Sequence, residues 1–412
     1  MESPLFASAI STESESDAAI AAVSSEVLSD LGGKKPDLAV VFISHHHGTA
    51  IETVGPKIAQ ATGARIVIGC TGEGIVGATK EIERGAAVSL FAGVLPATEL
   101  RPFSVQAVQV AENQIGFTGL PEAQDVKRAS VLLLADPFTF PAAEYLEAVN
   151  QKMPGLPIVG GMASGGSGPG QNLLVTEKGV VESGAVGLVV EGAVEVCAIV
   201  SQGCRPVGKP WVITACKDNL IQKMGGKTAV QVLMETLQGI PEPDRNLLQA
   251  RPFLGMAVDP TKSTFERGDF VVRGLMGIEP QQGAIAVAES GLHAGQTVQF
   301  LVRDAASAGE DLTTLMKDRV GPRSAGSASE GALLFSCNGR GTRMFPTPNH
   351  DIACVQSAFE KIVPASGFFA MGEIGPVGGR NFLHGFTASV AVFRARAEIP
   401  SASSRSAALS LP

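Results

Sequence analysis

Aromatic side chains are scarce: the 412 residues include 1 Trp, 1 Tyr and 19 Phe, or 5% in all. Charge is scarce too, at 17%, and it leans acidic, with 32 basic against 40 acidic side chains, a formal net charge of −8 and a pI near 5.4. A general positive field of the kind that binds nucleic acid or an acidic membrane is therefore not expected. No apolar run stays free of glycine and charge over the ~18 residues that a membrane-spanning helix needs. The opening Met1-Glu2-Ser3-Pro4 has no basic segment of the signal-peptide type. The six cysteines, at 70, 197, 204, 216, 337 and 354, form no Cys-x-x-Cys pair. Reduced thiols in a cytoplasm are the expectation. What is abundant is glycine, with 48 residues, about 12% against a usual ~7%. Apolar side chains make up 45% and mean hydropathy is +0.21, ample for a sizeable core.

One order of parts recurs along the chain, and such recurrence is read before any motif. Leu38 to Ile43 is a continuous apolar run and reads as a buried strand; an amphipathic stretch from Thr49 to Ala61, the strand Ile66-Val67-Ile68, the turn Gly69 to Gly74 and a closing strand Ala86 to Val94 follow. The order returns as strand Val131 to Ala135, helix Pro141 to Lys152, glycine turn Ile158 to Gly165 and strand Gly184 to Val190. It returns again as strand Ala332 to Phe335, helix His350 to Ile362 and glycine turn Phe368 to Glu373. A fainter copy spans Phe253 to Val258, a glycine turn Gly274 to Gly277, and Gly283 to Val287, without a helix. Several turns, such as Val180 to Ala185, are too short for a parallel crossover, so many neighbouring strands must pair antiparallel. The expected class is α/β: mixed, largely antiparallel sheets with helices packed on their outer faces, a layered α/β sandwich in two related halves. The expected domains are 1–205 and 206–396. Gly165 to Gly170 reads as a loop, Gly321 to Ala328 as a flexible connection and 397–412 as a disordered tail.

Two segments concentrate polar chemistry. Ser336-Cys337-Asn338-Gly339-Arg340-Gly341 follows a strand directly; its glycines let successive N–H groups approach an anion, and Arg340 can grip a carboxylate in a fork. Met371 to Thr387 crowds Glu373, Arg380, Asn381, His384 and Thr387 among apolar residues and glycines. The bland alternatives are that Arg340 pairs with an internal carboxylate such as Glu373, and that His384 is a core histidine. As a catalytic reading, Cys337 or Ser336 with His384 and Glu373 supplies a nucleophile, a base and an orienting acid. A thiol beside Arg340 should have a lowered pKa and be alkylated faster than the other five cysteines. No Gly-x-Ser-x-Gly elbow is present. His45-His46-His47 cannot all reach one metal ion from extended backbone, so no metal is expected there and an anion contact is the better reading. Gly225-Gly226-Lys227-Thr228 imitates the end of a phosphate-binding loop but lacks the first glycine of that motif.

Ser336 to Gly341, Gly367 to Val377 and Asn381 to Thr387, in that order, resemble the C-terminal module of FIST-domain proteins; Gly69 to Gly74 and Pro157 to Gly161 resemble the N-terminal module. The resemblance covers nearly all of residues 1–396. It implies a sensory module for a small ligand, such as an amino acid, in signalling proteins. The F-box, kinase, cyclase and methyl-accepting segments of other settings have no room here, so a stand-alone receptor with an unknown signalling partner is expected. The expected ligand-binding residues are Asn338, Gly339, Arg340, Gly341, Glu373, Arg380, Asn381 and His384, with no cofactor. Hydrolysis or acyl transfer through Cys337 or Ser336, and a protein-interaction module, are the alternatives.

Overall fold

The computed structural model describes residues 2–111, 114–262, 264–265, 268–289, 291–320 and 330–396. The expected tail 397–412 and the connection 321–328 lie outside the described residues.

Three six-stranded sheets share one plan. In the first, Leu38–Ser44 and Ile66–Gly72 pair in parallel across a 3-10 segment, His45–Thr53, and the helix Val54–Thr62. Val88–Val94 then returns antiparallel on the other side of Leu38–Ser44, with Leu5–Ser11 beyond it. In the second, Ala129–Ala135 and Ile158–Met162 are parallel across the helix Ala142–Lys152, followed by Ala185–Gly192 and Thr98–Val105. In the third, Gly331–Cys337 and Ala365–Ala370 are parallel across the helix His350–Gln356, followed by Ala388–Ala395 and Val194–Ser201.

Each sheet is completed by a hairpin that the chain builds while forming another. Leu174–Thr176 and Gly179–Val181 extend the first sheet, Glu373–Val377 and Arg380–His384 the second, and Ile75–Gly77 and Lys80–Ile82 the third. Strands from both ends of the sequence therefore share sheets.

The period of two along the central strands explains the layering. Leu38, Val40 and Phe42 enter one cluster with Leu132, Leu134, Leu333, Phe335 and Phe368, so the inner faces of all three sheets meet in a common core. Ala39, Val41 and Ile43 point the other way, onto Ile20, Val23 and Val27 of the helix Ser16–Asp30 and Ile58 of the next helix. Tyr145, Leu146 and Val149 cover the outer face of the second sheet, and Leu312, Met316, Ile352 and Val355 that of the third. Both faces of each sheet are buried, and this is why the central strands read as unbroken apolar runs. The class expected from sequence, mixed and mostly antiparallel with helices outside, is the one found.

Part of the glycine excess has a specific use in these sheets. Gly69, Gly160 and Gly367 lie in register with Val41, Leu133 and Leu334 of the neighbouring parallel strands. A Cβ at these glycines would stand 2.0, 1.8 and 1.9 Å from the carbonyl oxygens of those same residues. Only a residue without a Cβ allows that approach.

Between Val194–Ser201 and the helix Ala305–Val320 the chain builds a fourth, wholly antiparallel sheet. Its order runs Cys204–Lys217, Thr297–Arg303, Phe253–Ala257, Phe270–Glu279, Ala284–Val287, Leu220–Met224 and Lys227–Thr228, and Cys204–Lys217 also pairs with Leu220–Met224, closing the sheet on itself. Three local expectations are corrected. Gly274 to Gly277 is no turn but lies inside the strand Phe270–Glu279. The third helix stops at Gln356 instead of Ile362, because the Gln356 amide bonds Val363 N, Val363 O and Ala78 O and turns the chain back. The stretch from Thr49 to Ala61 is helical in two unlike pieces, a 3-10 segment as far as Thr53 and an α-helix from Val54, with the kink at Gly48 just before it.

Candidate functional site

The strand Gly331–Cys337 of the third sheet and the strand Thr297–Arg303 of the fourth end near one another, and the loops that follow them meet the hairpin beginning at Glu373. After Cys337 the backbone turns sharply: Asn338 N donates to Ala370 O and Arg340 N to Cys337 O, while Gly341 takes φ +58°. This turn sends Arg340 inward, where it is fully buried. Its Nε and Nη2 donate to both oxygens of Asp351 at 2.6 and 2.8 Å, and Ser336 Oγ donates to the same carboxylate at 2.7 Å. Burial works against the Asp351 charge, but Arg340 prevails and holds the carboxyl below the usual carboxylate range. Burial likewise opposes a charged His350, yet its bond to Asp351 and the adjacent Cys354 push it up to about 9. Arg340 thus has an internal carboxylate partner, and that partner is Asp351, not Glu373. Two of its three nitrogens are committed; Nη1 is buried without an acceptor.

Glu373 is also fully buried. Its Oε2 accepts from Thr387 N at 3.0 Å and Thr387 Oγ1 at 2.6 Å, while Oε1 has no hydrogen bond of good geometry. Thr387 is presented by Phe386, a non-glycine residue at φ +66°. Such a conformation is strained and is retained where neighbours enforce it; here the ring packs on Phe253 at 5.1 Å. Burial pushes the Glu373 carboxyl up to about 7, with Thr387 and the neighbouring Cys337 thiol opposing. Burial and the Glu373 charge push the Cys337 thiol up to about 12, although Gly339 N donates to its sulfur at 3.4 Å. The expectation of a thiol acidified by Arg340 is therefore overturned: Arg340 is already neutralised by Asp351, and burial with the Glu373 charge outweighs the opposing pull of Arg303.

The group that sequence reasoning missed is Arg303. It follows the apolar residues Phe300, Leu301 and Val302 directly, and a cation ending a buried strand was the available signal. Its guanidinium carbon lies 5.0 Å from the centre of the Phe386 ring. Nη2 reaches Gly339 O at 3.4 Å and touches Met344 Sδ; Nε and Nη1 are buried and have no acceptor. Burial and the nearby Arg340 charge depress the basicity of Arg303, though an arginine remains charged at neutral pH. Asn338 Oδ1 is likewise buried and unpartnered. Arg303 Nε and Nη1, Asn338 Oδ1 and Glu373 Oε1 thus lack hydrogen bonds of good geometry inside the chain, and the charges of Arg303 and Glu373 both act on the Cys337 thiol.

The other predicted residues lie apart from this constellation. Asn381 pins the hairpin to the second sheet: its Nδ2 donates to Leu156 O and Asn150 Oδ1, and its Oδ1 accepts from Ile158 N at 2.8 Å. Arg380 is exposed and paired with Glu147 at 2.6 Å. His384 Nε2 lies 3.0 Å from Gly375 O, and burial pushes the ring down to about 4. His384 stands opposite Glu373 in the hairpin register, but its side chain makes no hydrogen bond to Cys337 or Glu373, so the catalytic trio is not linked through its imidazole. The three-histidine run diverges, with His45 Nε2 at 2.8 Å from Ser164 O and His47 Nδ1 at 2.9 Å from Ser16 Oγ. Gly225 to Thr228 is a hairpin turn, and Thr228 caps the helix Ala229–Gly239. A cleft of about 730 Å³ between the helix Ala142–Lys152 and the fourth sheet borders Arg273 and Arg380, but both are already paired, with Glu289 and Glu147.

Comparison with known proteins gives two adjoining matches: residues 37–227 to the FIST N domain and residues 229–376 to the FIST C domain. An uncharacterized protein of Mycobacterium bovis, Mb0898c, is 39% identical over 366 residues, covering 88% of this chain and 92% of its own. An uncharacterized protein of Mycobacterium tuberculosis, Rv0628c, is 36% identical over 386 residues, covering 93% and 98%.

Proposed function

Because the chain belongs to the FIST family, whose domains are generally held to be sensory modules that bind small ligands, we propose that it is a receptor for an amino acid or a closely related zwitterionic carboxylate. The observation that carries this reading is the coexistence of Arg303 Nε and Nη1 with Glu373 Oε1, opposite charges buried beside one thiol and left unpartnered. Each such buried polar group costs about 1–3 kcal/mol when it lacks a partner. A ligand carboxylate on Arg303 and a ligand ammonium on Glu373 Oε1 and Asn338 Oδ1 would satisfy all of them at once. Gly339 leaves the backbone open to close approach, and Phe386 supplies an apolar wall. Arg340, Ser336 and Asp351 would then hold the loop that carries Cys337 to Gly339, and Asn381 the hairpin that carries Glu373.

The receptor would work in the cytoplasm and hand its state to a separate signalling protein. Among the described residues no helix is long and apolar enough to cross a membrane. Turnover through Cys337 is the competing reading, and a thiol pushed up to about 12 works against a nucleophile at neutral pH.

Titration calorimetry of the full chain with a panel of L-amino acids tests the proposal. Binding of at least one amino acid is expected, weakened tenfold or more by Arg303→Gln and by Glu373→Gln in proteins that remain folded. Absence of binding across the panel, or binding indifferent to both substitutions, would sink it. Consumption of an ester or thioester panel that disappears in Cys337→Ala would favour the enzyme instead.

A further inference from the structure

Two arginines, not one, address the Phe386 ring. Arg303 approaches it from the end of its strand at 5.0 Å, and Arg251, just past the helix Glu242–Ala250, stands with its guanidinium carbon 5.9 Å from the same ring centre. The two guanidinium carbons are thus within about 11 Å of each other. Arg251 is exposed, and among the described residues no carboxylate pairs with it; the acids nearest in sequence are engaged elsewhere, Asp244 with Arg205 for example. Cations stacked on an aromatic face keep their in-plane N–H donors free for an anion.

The charges around the ring do not balance for a simple amino acid. Arg303 and Arg251 contribute two positive charges and Glu373 at most one negative, while Arg340 is already neutralised by Asp351. A ligand with one carboxylate and one ammonium leaves Arg251 without a counterpart. A second carboxylate on the ligand's side chain supplies it, and a short dicarboxylate spans the gap when each end accepts hydrogen bonds of ~2.8 Å from one guanidinium.

Resting on the reading of the site given above, we propose that the ligand is an amino dicarboxylate, with its α-carboxylate on Arg303, its ammonium on Glu373 and its side-chain carboxylate on Arg251. Both cations lie against the Phe386 ring, which limits the distance between the two carboxylates. Arg251 is then the residue that discriminates an acidic side chain from its amide, an isostere of the same size that lacks the charge.

Titration calorimetry of the full chain with L-glutamate and L-aspartate against L-glutamine and L-asparagine decides the matter. One acid is expected to bind at least tenfold tighter than its amide, and Arg251→Gln is expected to erase that preference while leaving the amide's affinity within twofold. Equal binding of acid and amide, or a preference that survives Arg251→Gln, overturns the Arg251 assignment and leaves the amino-acid receptor standing. If none of the four binds but other amino acids do, the assignment is likewise overturned. If no amino acid binds at all, the receptor reading itself falls, and this one with it.

Discussion

Arg340 and Glu373 are both buried ionisable groups, yet they titrate under opposite constraints. Arg340 pairs with Asp351 through two of its nitrogens, so Arg340→Ala leaves a fully buried carboxylate with only Ser336 and His350 as partners. A loss of about 3–5 kcal/mol in unfolding free energy is expected in urea titrations; a loss below about 1 kcal/mol would mean that the pair carries little of the fold. Glu373 is held above the ordinary glutamate value, at about 7, as is Glu81, whose Oε2 is buried without a partner. A carboxyl raised on folding favours the native state fully below its unfolded value of ~4.3 and loses that contribution as pH climbs to about 7. Stability should therefore fall across that window, by up to about 1.4 kcal/mol per pH unit for each group. Glu373→Gln should flatten the fall, and an unchanged pH profile would argue against a titrating Glu373. The same titration bears on binding. An ammonium needs the ionised carboxylate, so affinity should rise through pH 7 in the wild type and lose that rise in Glu373→Gln.

At the scale of strands and loops, the turns after the central strands were legible because a continuous apolar run can end only where the chain leaves the core. The glycines within the second parallel strands had a different cause, a close approach to the neighbouring backbone. Gly367→Ala places a Cβ 1.9 Å from Leu334 O, between strands with no room to separate. A destabilisation of about 3 kcal/mol or more is expected, against a change within about 1 kcal/mol for Gly385→Ala, which meets no atom within 4 Å. Thermal unfolding of the two variants side by side checks this, and equal melting points would contradict it. Gly274 and Gly277 look no different in the sequence but flank a shift of register inside one strand, because nothing local distinguishes a glycine that turns the chain back from one that lets a strand bulge. The helix after Asn349 was overextended for a similar reason: the stop comes from Gln356 bonding Ala78, a residue far away in the chain.

Across the whole molecule, the exchange of hairpins binds early and late segments into the same sheets. Ile75–Gly77 pairs with Ala365–Ala370, and Glu373–Val377 with Ile158–Met162. Residues 1–205 and 206–396, produced separately, should each lack a cooperative unfolding transition and recover one when refolded together. A cooperative transition in 1–205 alone, followed by circular dichroism, would show that the borrowed strands are dispensable. The same exchange links the site to the rest of the fold, since the hairpin that carries Glu373 is bonded at its far end to Asn150 of the helix Ala142–Lys152 and to Leu156, just before the strand Ile158–Met162.

The amino-acid sequence alone determined the class of fold, the position of the central strands and the loop Ser336 to Gly341, and it set Arg340 and Glu373 apart as charges in apolar surroundings. These follow from apolar periodicity and from the rarity of charge in a chain so poor in it. Which charges meet was decided only in three dimensions. Arg340 reaches Asp351 eleven positions on, and Arg303 approaches Gly339 and Phe386 from another sheet. Periodicity records which face of a strand is buried, whereas the partner of a buried charge depends on how separate sheets are brought edge to edge.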